Sequence, residues 1–254
     1  MIHLIICGGF EMHKRIVVFL HIPKTGGVTM RRLLDRQYSK QRVFRYPAEK
    51  PMQALGQLTS AERQNIRCVY GHFRYGVHRH FHRRAVYITM VRDPLDRIVS
   101  MYYFIRSRPQ NKLHHLAKRM SFSQFVTSRD PRIRAALNNH QTRMISGKRH
   151  PDLKKAIENI KRDFVVVGIT DMYPESVFMM SQLLGWKDAH YTRENVTQNR
   201  PKHPRVPDHI VRIIRQNNTL DYRLYRFAKN RLQQQIQHLT PKQKRDLSRF
   251  KKRH

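Results

Sequence analysis

The sequence predicts an α/β fold, a mainly parallel sheet flanked by helices. Two segments and one pattern predict it. Residues 17–34, VVFLHIPKTGGVTMRRLL, run from an apolar stretch through a glycine turn into helical apolar spacing. Residues 86–104, VYITMVRDPLDRIVSMYYF, repeat the order of strand, turn and helix. Strand-like and helix-like runs alternate along the rest of the chain, and such alternation builds parallel sheets with helices on both faces.

The elements follow in order. Residues 16–22 are the first expected strand and 26–37 the first helix, with Val28, Met30, Leu33 and Leu34 as its apolar positions. Residues 39–53 read as polar loop. Thr59 or Ser60 caps a short helix ahead of a strand at 67–71, and 73–84 is a basic, aromatic loop. Strand 86–91 is rich in β-branched residues. Helix 94–106 follows it, with Asp93 suited to the N-cap and Pro94 to the first turn. Residues 107–150 read as mostly helical, with Phe122, Phe125 and Val126 on one apolar face. Helix 152–163 feeds strand 164–169, and helix 174–185 ends at its glycine. The stretch 187–207, with Pro201, Pro204 and Pro207, reads as a linker, and helices 208–216 and 220–239 close the chain. The expected organisation is a single domain over residues 1–239 and a basic tail over 240–254, where Leu247 and Phe250 are the sizeable apolar side chains.

The chain of 254 residues carries 51 Lys and Arg against 17 Asp and Glu, a net charge of +34. Such a charge attracts polyanions: nucleic acid, anionic lipid, or a sulfated or carboxylated glycan. Charge alone favours nucleic acid or a plain basic surface, yet no zinc-finger or RNP-type aromatic motif accompanies it. Cys7 and Cys68 make no disulfide framework, and Cys68 sits in an apolar run as an expected core thiol. No His/Cys or carboxylate cluster calls for a metal. No stretch reaches the ~18 apolar residues of a membrane span, and no signal-peptide pattern opens the chain. The expectation is a soluble, cytoplasmic protein, drawn at most peripherally to anionic membranes.

The first segment carries chemistry. Strand, glycine turn and helix aim backbone N–H groups and a helix N-terminus at phosphate. Gly26 and Gly27 allow close approach of the backbone, Lys24 adds a mobile charge, and Thr25 and Thr29 add hydroxyls. The lysine precedes the glycines, so this is no Walker A loop. In the second segment Arg92 stands at the carboxyl end of a strand, where open α/β sheets bind ligands, and Ser100 lies on the helix that follows.

Together the two segments resemble the sulfotransferases, with the closer likeness to the carbohydrate branch, sulfotransferase family 2. The resemblance continues in Tyr70-Gly71-His72-Phe73, in Asn139-His140-Gln141-Thr142-Arg143-Met144, in residues 164–186, and in Asn195-Val196-Thr197 and Asn218-Thr219-Leu220-Asp221, so it spans about residues 15–232 in order. It implies a P-loop-like sulfotransferase fold and a 3′-phosphoadenylyl sulfate (PAPS) co-substrate, without a metal. By motif, Lys24, Thr25, Gly26, Gly27, Val28 and Thr29 bind the 5′-phosphosulfate, and Arg92 and Ser100 bind the 3′-phosphate. Val28 departs from the small hydroxyl residue often found there but still offers its N–H. Lys24 is suited to the bridging oxygen, where charge develops. His72 resembles the catalytic base of uronyl 2-O-sulfotransferases. In other branches the base is a carboxylate, for which Glu49 and Glu62 are the nearby options. Arg74 in the basic loop and Arg143 are candidates for contacts with the acceptor, an anionic glycan or another hydroxyl compound. Residues 1–11 match nothing in the family, which makes Met12 an expected start. Two other readings stay open. One is a P-loop-type kinase or NTPase, with Thr25 as its magnesium hydroxyl and Asp93 as its acid. The other is a basic nucleic-acid-binding protein, although no stable nucleic-acid partner is expected.

Overall fold

The computed structural model describes residues 15–47, 49–81, 83–192 and 205–254. In chain order the elements are β1 (Ile16–Leu20), α1 (Gly27–Gln37), β2 (Val43–Arg45), α2 (Pro51–Gly56), α3 (Ser60–Asn65), β3 (Cys68–Gly71), β4 (Ala85–Val91), α4 (Pro94–Arg106), α5 (His114–Arg119), α6 (Phe122–Thr127), α7 (Pro131–Leu137), α8 (His140–Ser146), α9 (Leu153–Asp163), β5 (Phe164–Ile169), α10 (Tyr173–Leu184), α11 (Asp208–Asn217), α12 (Thr219–Gln237) and α13 (Pro241–Lys252). The residue numbers 1–14 and 193–204, with Met12 and Asn195-Val196-Thr197 among them, lie outside the described residues.

The sheet has five strands in the order β2-β3-β1-β4-β5, and every pairing is parallel. β1 is central, with Leu20 opposite Gly71 of β3 on one side and Thr89 of β4 on the other. β1, β3 and β5 are buried at every position, as strands covered on both faces must be. The chain leaves β1 toward β2 and β3, then returns past it to β4 and β5. The carboxyl ends of β1 and β4 therefore flank the topological switch point, the crevice where doubly wound sheets bind ligands.

Most expected elements are present because local patterns dictate them. Thr59 closes a capping box with Glu62, Asp93 caps α4, and Gly185 ends α10 at φ 68°. Two expectations are corrected. The presumed loop 39–53 contains β2 and α2; β2 is a three-residue edge strand, too short to show a pattern. The residues set apart as a basic tail contain α13. Thr240 and Gln243 form its capping box, Leu247 is buried, and Phe250 packs 5.9 Å from Phe178 of α10. Leu247 and Phe250 face inward and dock this helix, Lys251 pairs with Glu175 of α10 (2.6 Å), and its basic side chains stay exposed.

A second apolar cluster lies beside the sheet's core, with Ile98, Tyr102 and Ile105 of α4 against Phe125, Ile133, Leu137, Ile210 and Ile214. It seats α6, α7 and α11 on α4. Cys68 is wholly buried, and burial pushes its thiol up.

Candidate active site

The chain enters the site from β1. Its ladder runs one residue further, His21 donating from its N–H to the Gly71 carbonyl (3.0 Å), and then turns sharply. Lys24 and Gly26 both take left-handed backbone angles, φ 71° and 81°. Thr25 is fully buried and its hydroxyl donates to the Ile22 carbonyl (2.8 Å), which closes the turn. What Thr25 offers outward is therefore its N–H rather than its hydroxyl.

Three successive carbonyls of the turn are each held by a different element. The Arg92 guanidinium donates to the Lys24 carbonyl (3.2 Å), the Thr170 hydroxyl to that of Thr25 (3.3 Å), and the Tyr173 hydroxyl to that of Gly26 (2.9 Å). In a trans peptide the following N–H points opposite its carbonyl. The N–H groups of Thr25, Gly26 and Gly27 are thus turned away from β4 and β5. A left-handed residue followed by a right-handed one, as Gly26 and the helical Gly27 are, forms a backbone nest, a concavity suited to anions. Gly26 is also the N-cap of α1 and supplies no side-chain cap, so the first N–H groups of that helix face the same ligand space. Neither glycine tolerates a side chain. A Cβ on Gly26 comes 2.6 Å from the Tyr173 ring, and one on Gly27 comes 1.9 Å from Nε2 of His21.

Lys24 extends its ammonium over the Phe104 ring, 4.3 Å from the centroid. Arg92 grips Asp96 through Nε (2.7 Å) and Nη2. Its backbone is fixed by the Gln141 side chain, which accepts from the Arg92 N–H (2.9 Å) and donates to the Arg92 carbonyl (2.9 Å). Ser100 lies on α4 and is 2% exposed.

Gln141 owes its position to Asp221. That fully buried carboxylate accepts from the N–H groups of Gln141 (3.1 Å) and Thr142 (2.8 Å) and from the Thr142 hydroxyl (2.7 Å), so α12 caps α8. Burial raises its pKa, and the buried Arg97 and the α8 donors oppose that rise. Asn139, at φ 45°, accepts from Leu220 and Asp221 N–H and donates to Asn218. The two short segments singled out in the sequence thus form one bracket behind Arg92. Arg143 of that stretch is the residue the sequence offers for an acceptor contact. Arg143 instead donates to the Ala135 carbonyl and contacts His140, and it is Gln141 that meets Arg92.

On the other side of β1 stands His72, at the end of β3. Its Nδ1 lies 2.7 Å from the His21 carbonyl. A carbonyl only accepts, so Nδ1 carries the proton and the neutral ring presents its Nε2 lone pair outward. The rings of His21 and His72 are 4.3 Å apart. His72 is exposed as a residue but its ring packs on His21, and desolvation on that side lowers its pKa, with the bond to His21 working against this and the Arg31 charge adding to it. His21 is 5% exposed and is held well below its ordinary value by burial, then by His72, Arg31 and Lys24. Sequence reasoning passed over His21, although its place just before the glycine turn was visible.

A cleft of about 500 Å³ opens here, lined by His21, Val28, Arg31, Arg32, Asp35, Arg45, Tyr46, Tyr70 and His72 among others. Arg74 is exposed and, like Arg143, does not line it. His78 bonds the Tyr87 hydroxyl (2.7 Å) and packs on Tyr75, which gives it a structural role. Glu62 is engaged in the α3 cap, Glu49 is exposed, and Asp93 accepts from the Asp96 N–H (3.1 Å).

Fold and site define a doubly wound α/β protein with a glycine turn at its switch point and a histidine pair beside it. The profile of the sulfotransferase family matches residues 11–228, and the chain belongs to that family. It is 24% identical over 237 residues to galactosylceramide sulfotransferase of Mus musculus, covering 84% of this chain and 56% of that protein. It is 28% identical over 135 residues to heparin sulfate O-sulfotransferase of Drosophila melanogaster, covering 48% of this chain and 38% of that one. The chain thus spans about half the length of these relatives or less. A mouse sulfotransferase solved with PAP aligns over 93% of this chain and 83% of its own, with a TM-score of 0.42 and 12% identity. No helix among the described residues is long and apolar enough to cross a membrane.

Proposed function

We propose that this protein moves a sulfuryl group from PAPS to a hydroxyl of a carbohydrate. The observation that carries this reading is the loop at residues 24–27, where three consecutive carbonyls are bonded away from the ligand side and neither glycine has room for a Cβ. That cradle fits the oxygens of a 5′-phosphosulfate, held by the N–H groups of Thr25 to Thr29. Lys24 carries the mobile charge for the bridging oxygen. Arg92 and Ser100 are the partners for the 3′-phosphate, and Arg92 then shares its guanidinium between that phosphate and Asp96.

His72 is the base in this reading. Its Nε2 takes the acceptor hydroxyl proton as the new oxygen–sulfur bond forms. The sulfur–oxygen bond to phosphate breaks in line, and adenosine 3′,5′-bisphosphate (PAP) leaves while Lys24 neutralises its oxygen. The names of both relatives, galactosylceramide and heparin sulfate, support a carbohydrate acceptor. The Thr25 hydroxyl is buried and turned to the Ile22 carbonyl, and Asp93 caps α4, which favours the sulfotransferase reading over a kinase.

Calorimetry with PAP, with and without a chelator, tests the donor half. Binding is expected to be independent of magnesium. A preference for ATP, or binding that requires the metal, overturns the reading. Labelled PAPS with a panel of anionic and neutral glycans tests the transfer half.

A further inference from the structure

The cleft beside His72 is lined by Arg31, Arg32 and Arg45, with Asp35 the only acid among the described residues that line it. Asp35 is already engaged. Its Oδ1 accepts from Arg45 (3.0 Å) and from the Tyr70 hydroxyl (2.8 Å). It stands one turn beyond Arg31 on α1, where an i,i+4 pair would form, yet it turns to Arg45 instead. The Nε of Arg31 is buried and makes no hydrogen bond among the described residues. A buried guanidinium N–H without an acceptor is costly, and a carboxylate or sulfate presents two oxygens that match the guanidinium fork.

We propose that Arg31 is a specificity residue that binds an anionic substituent, carboxylate or sulfate ester, on the acceptor sugar next to the hydroxyl that receives the sulfuryl group. The proposal rests on the sulfotransferase reading and narrows it. Proximity supports it: Arg31 shares the cleft wall with His21 and His72, and its charge reaches both imidazoles. An anion on Arg31 is therefore held beside the base. It also offsets the charge that suppresses proton uptake there. A neutral hydroxyl at the same place satisfies the N–H but leaves the charge unanswered.

The test uses the full chain loaded with PAP and three matched disaccharides: one with a hexuronic acid, one with that carboxylate reduced to the alcohol, and one with a sulfate ester in its place. Equilibrium binding is measured by calorimetry. The wild type is expected to prefer the two anionic sugars over the reduced one by about ten- to a hundredfold, the range of a charge-assisted hydrogen bond. Arg31→Gln is expected to remove most of that ratio and Arg31→Lys to keep part of it, with PAP affinity unchanged in both. Arg245→Gln, which removes an exposed charge on α13, controls for general attraction to a basic protein and is expected to keep the ratio. Failure of the wild type to bind PAP overturns the sulfotransferase reading. With PAP bound, equal binding of the sugars, binding of none, or a ratio that survives Arg31→Gln overturns the role of Arg31 alone. A ratio lost equally in Arg245→Gln overturns it too and assigns the preference to net charge.

Discussion

Replacing Tyr173 with phenylalanine removes one oxygen from the wall of the donor loop and leaves the ring in place. The ring is 6% exposed, packs 5.2 Å from Tyr191, and occupies the space that a Cβ on Gly26 would need. The change removes the hydrogen bond on the Gly26 carbonyl (2.9 Å). A neutral bond of this kind contributes about 0.5–1.5 kcal/mol, and the bond is only part-buried, so water replaces the lost donor and holds the cost within that range. For a domain of this size that is a fall in melting temperature of roughly 1–6 °C. If the bond also holds the Gly27 N–H toward the anion, the same free energy appears in PAP affinity, up to about a tenfold rise in Kd. Thr170→Val removes the neighbouring clamp, whose single hydroxyl proton is shared between the Thr25 (3.3 Å) and Val91 (3.1 Å) carbonyls. The two changes act on adjacent peptides, so their effects on PAP binding are expected to be non-additive. The assay is calorimetry with PAP on both single variants and the double, with thermal melts in parallel. A Tyr173→Phe protein that melts lower but binds PAP within twofold of wild type refutes the argument, because the hydroxyl then supports the fold without setting the loop.

Arg92→Ala is expected to weaken PAP binding by about 1.5–3 kcal/mol or more, the worth of a charge-assisted contact plus the freed Lys24 carbonyl, while the Gln141 bonds to its backbone keep the strand end in place. Equal binding of adenosine 5′-phosphosulfate and PAPS by the wild type contradicts that assignment. His72→Ala is expected to lower transfer by roughly 10²–10⁴-fold with PAP affinity intact, since the base touches only the acceptor; most activity surviving at saturating acceptor turns attention to Glu49 and Glu62. The pH profile has a definite sign. His72 must be neutral to act, and desolvation with the Arg31 charge sets its pKa below the ordinary 6.5, so the acid limb of kcat/KM lies below 6.5 and activity is lost only as pH falls through that lowered value. An acid limb at or above 6.5 rules out this environment for the base.

The parts of the site legible in the sequence are those that local geometry dictates. Residues 16 to 37 read as strand, turn and helix because the apolar run, the two glycines and the helical spacing are neighbours in the chain. Arg92 read as a strand-end residue for the same reason, with Asp93 and Pro94 marking the helix start behind it. The strand alternation was enough to predict a parallel sheet. β2 escaped because three residues carry no period, and α13 escaped because its basic composition hides the few inward-facing side chains that dock it.

What only the tertiary structure decided is which distant residues meet. The carbonyls of the loop are held from Arg92, Thr170 and Tyr173, residues 68 to 147 positions away, brought there by the order of β1, β4 and β5. Gln141 reaches Arg92 because Asp221 caps α8, a pairing across 80 positions. His72 was one of several similar histidines in a basic stretch until β3 set it beside β1 and the His21 carbonyl fixed its tautomer. Local propensity and periodicity choose each element from its own residues. The chemistry of the site depends on the order in which the sheet lines up its strand ends, and that order follows from burial across the whole chain.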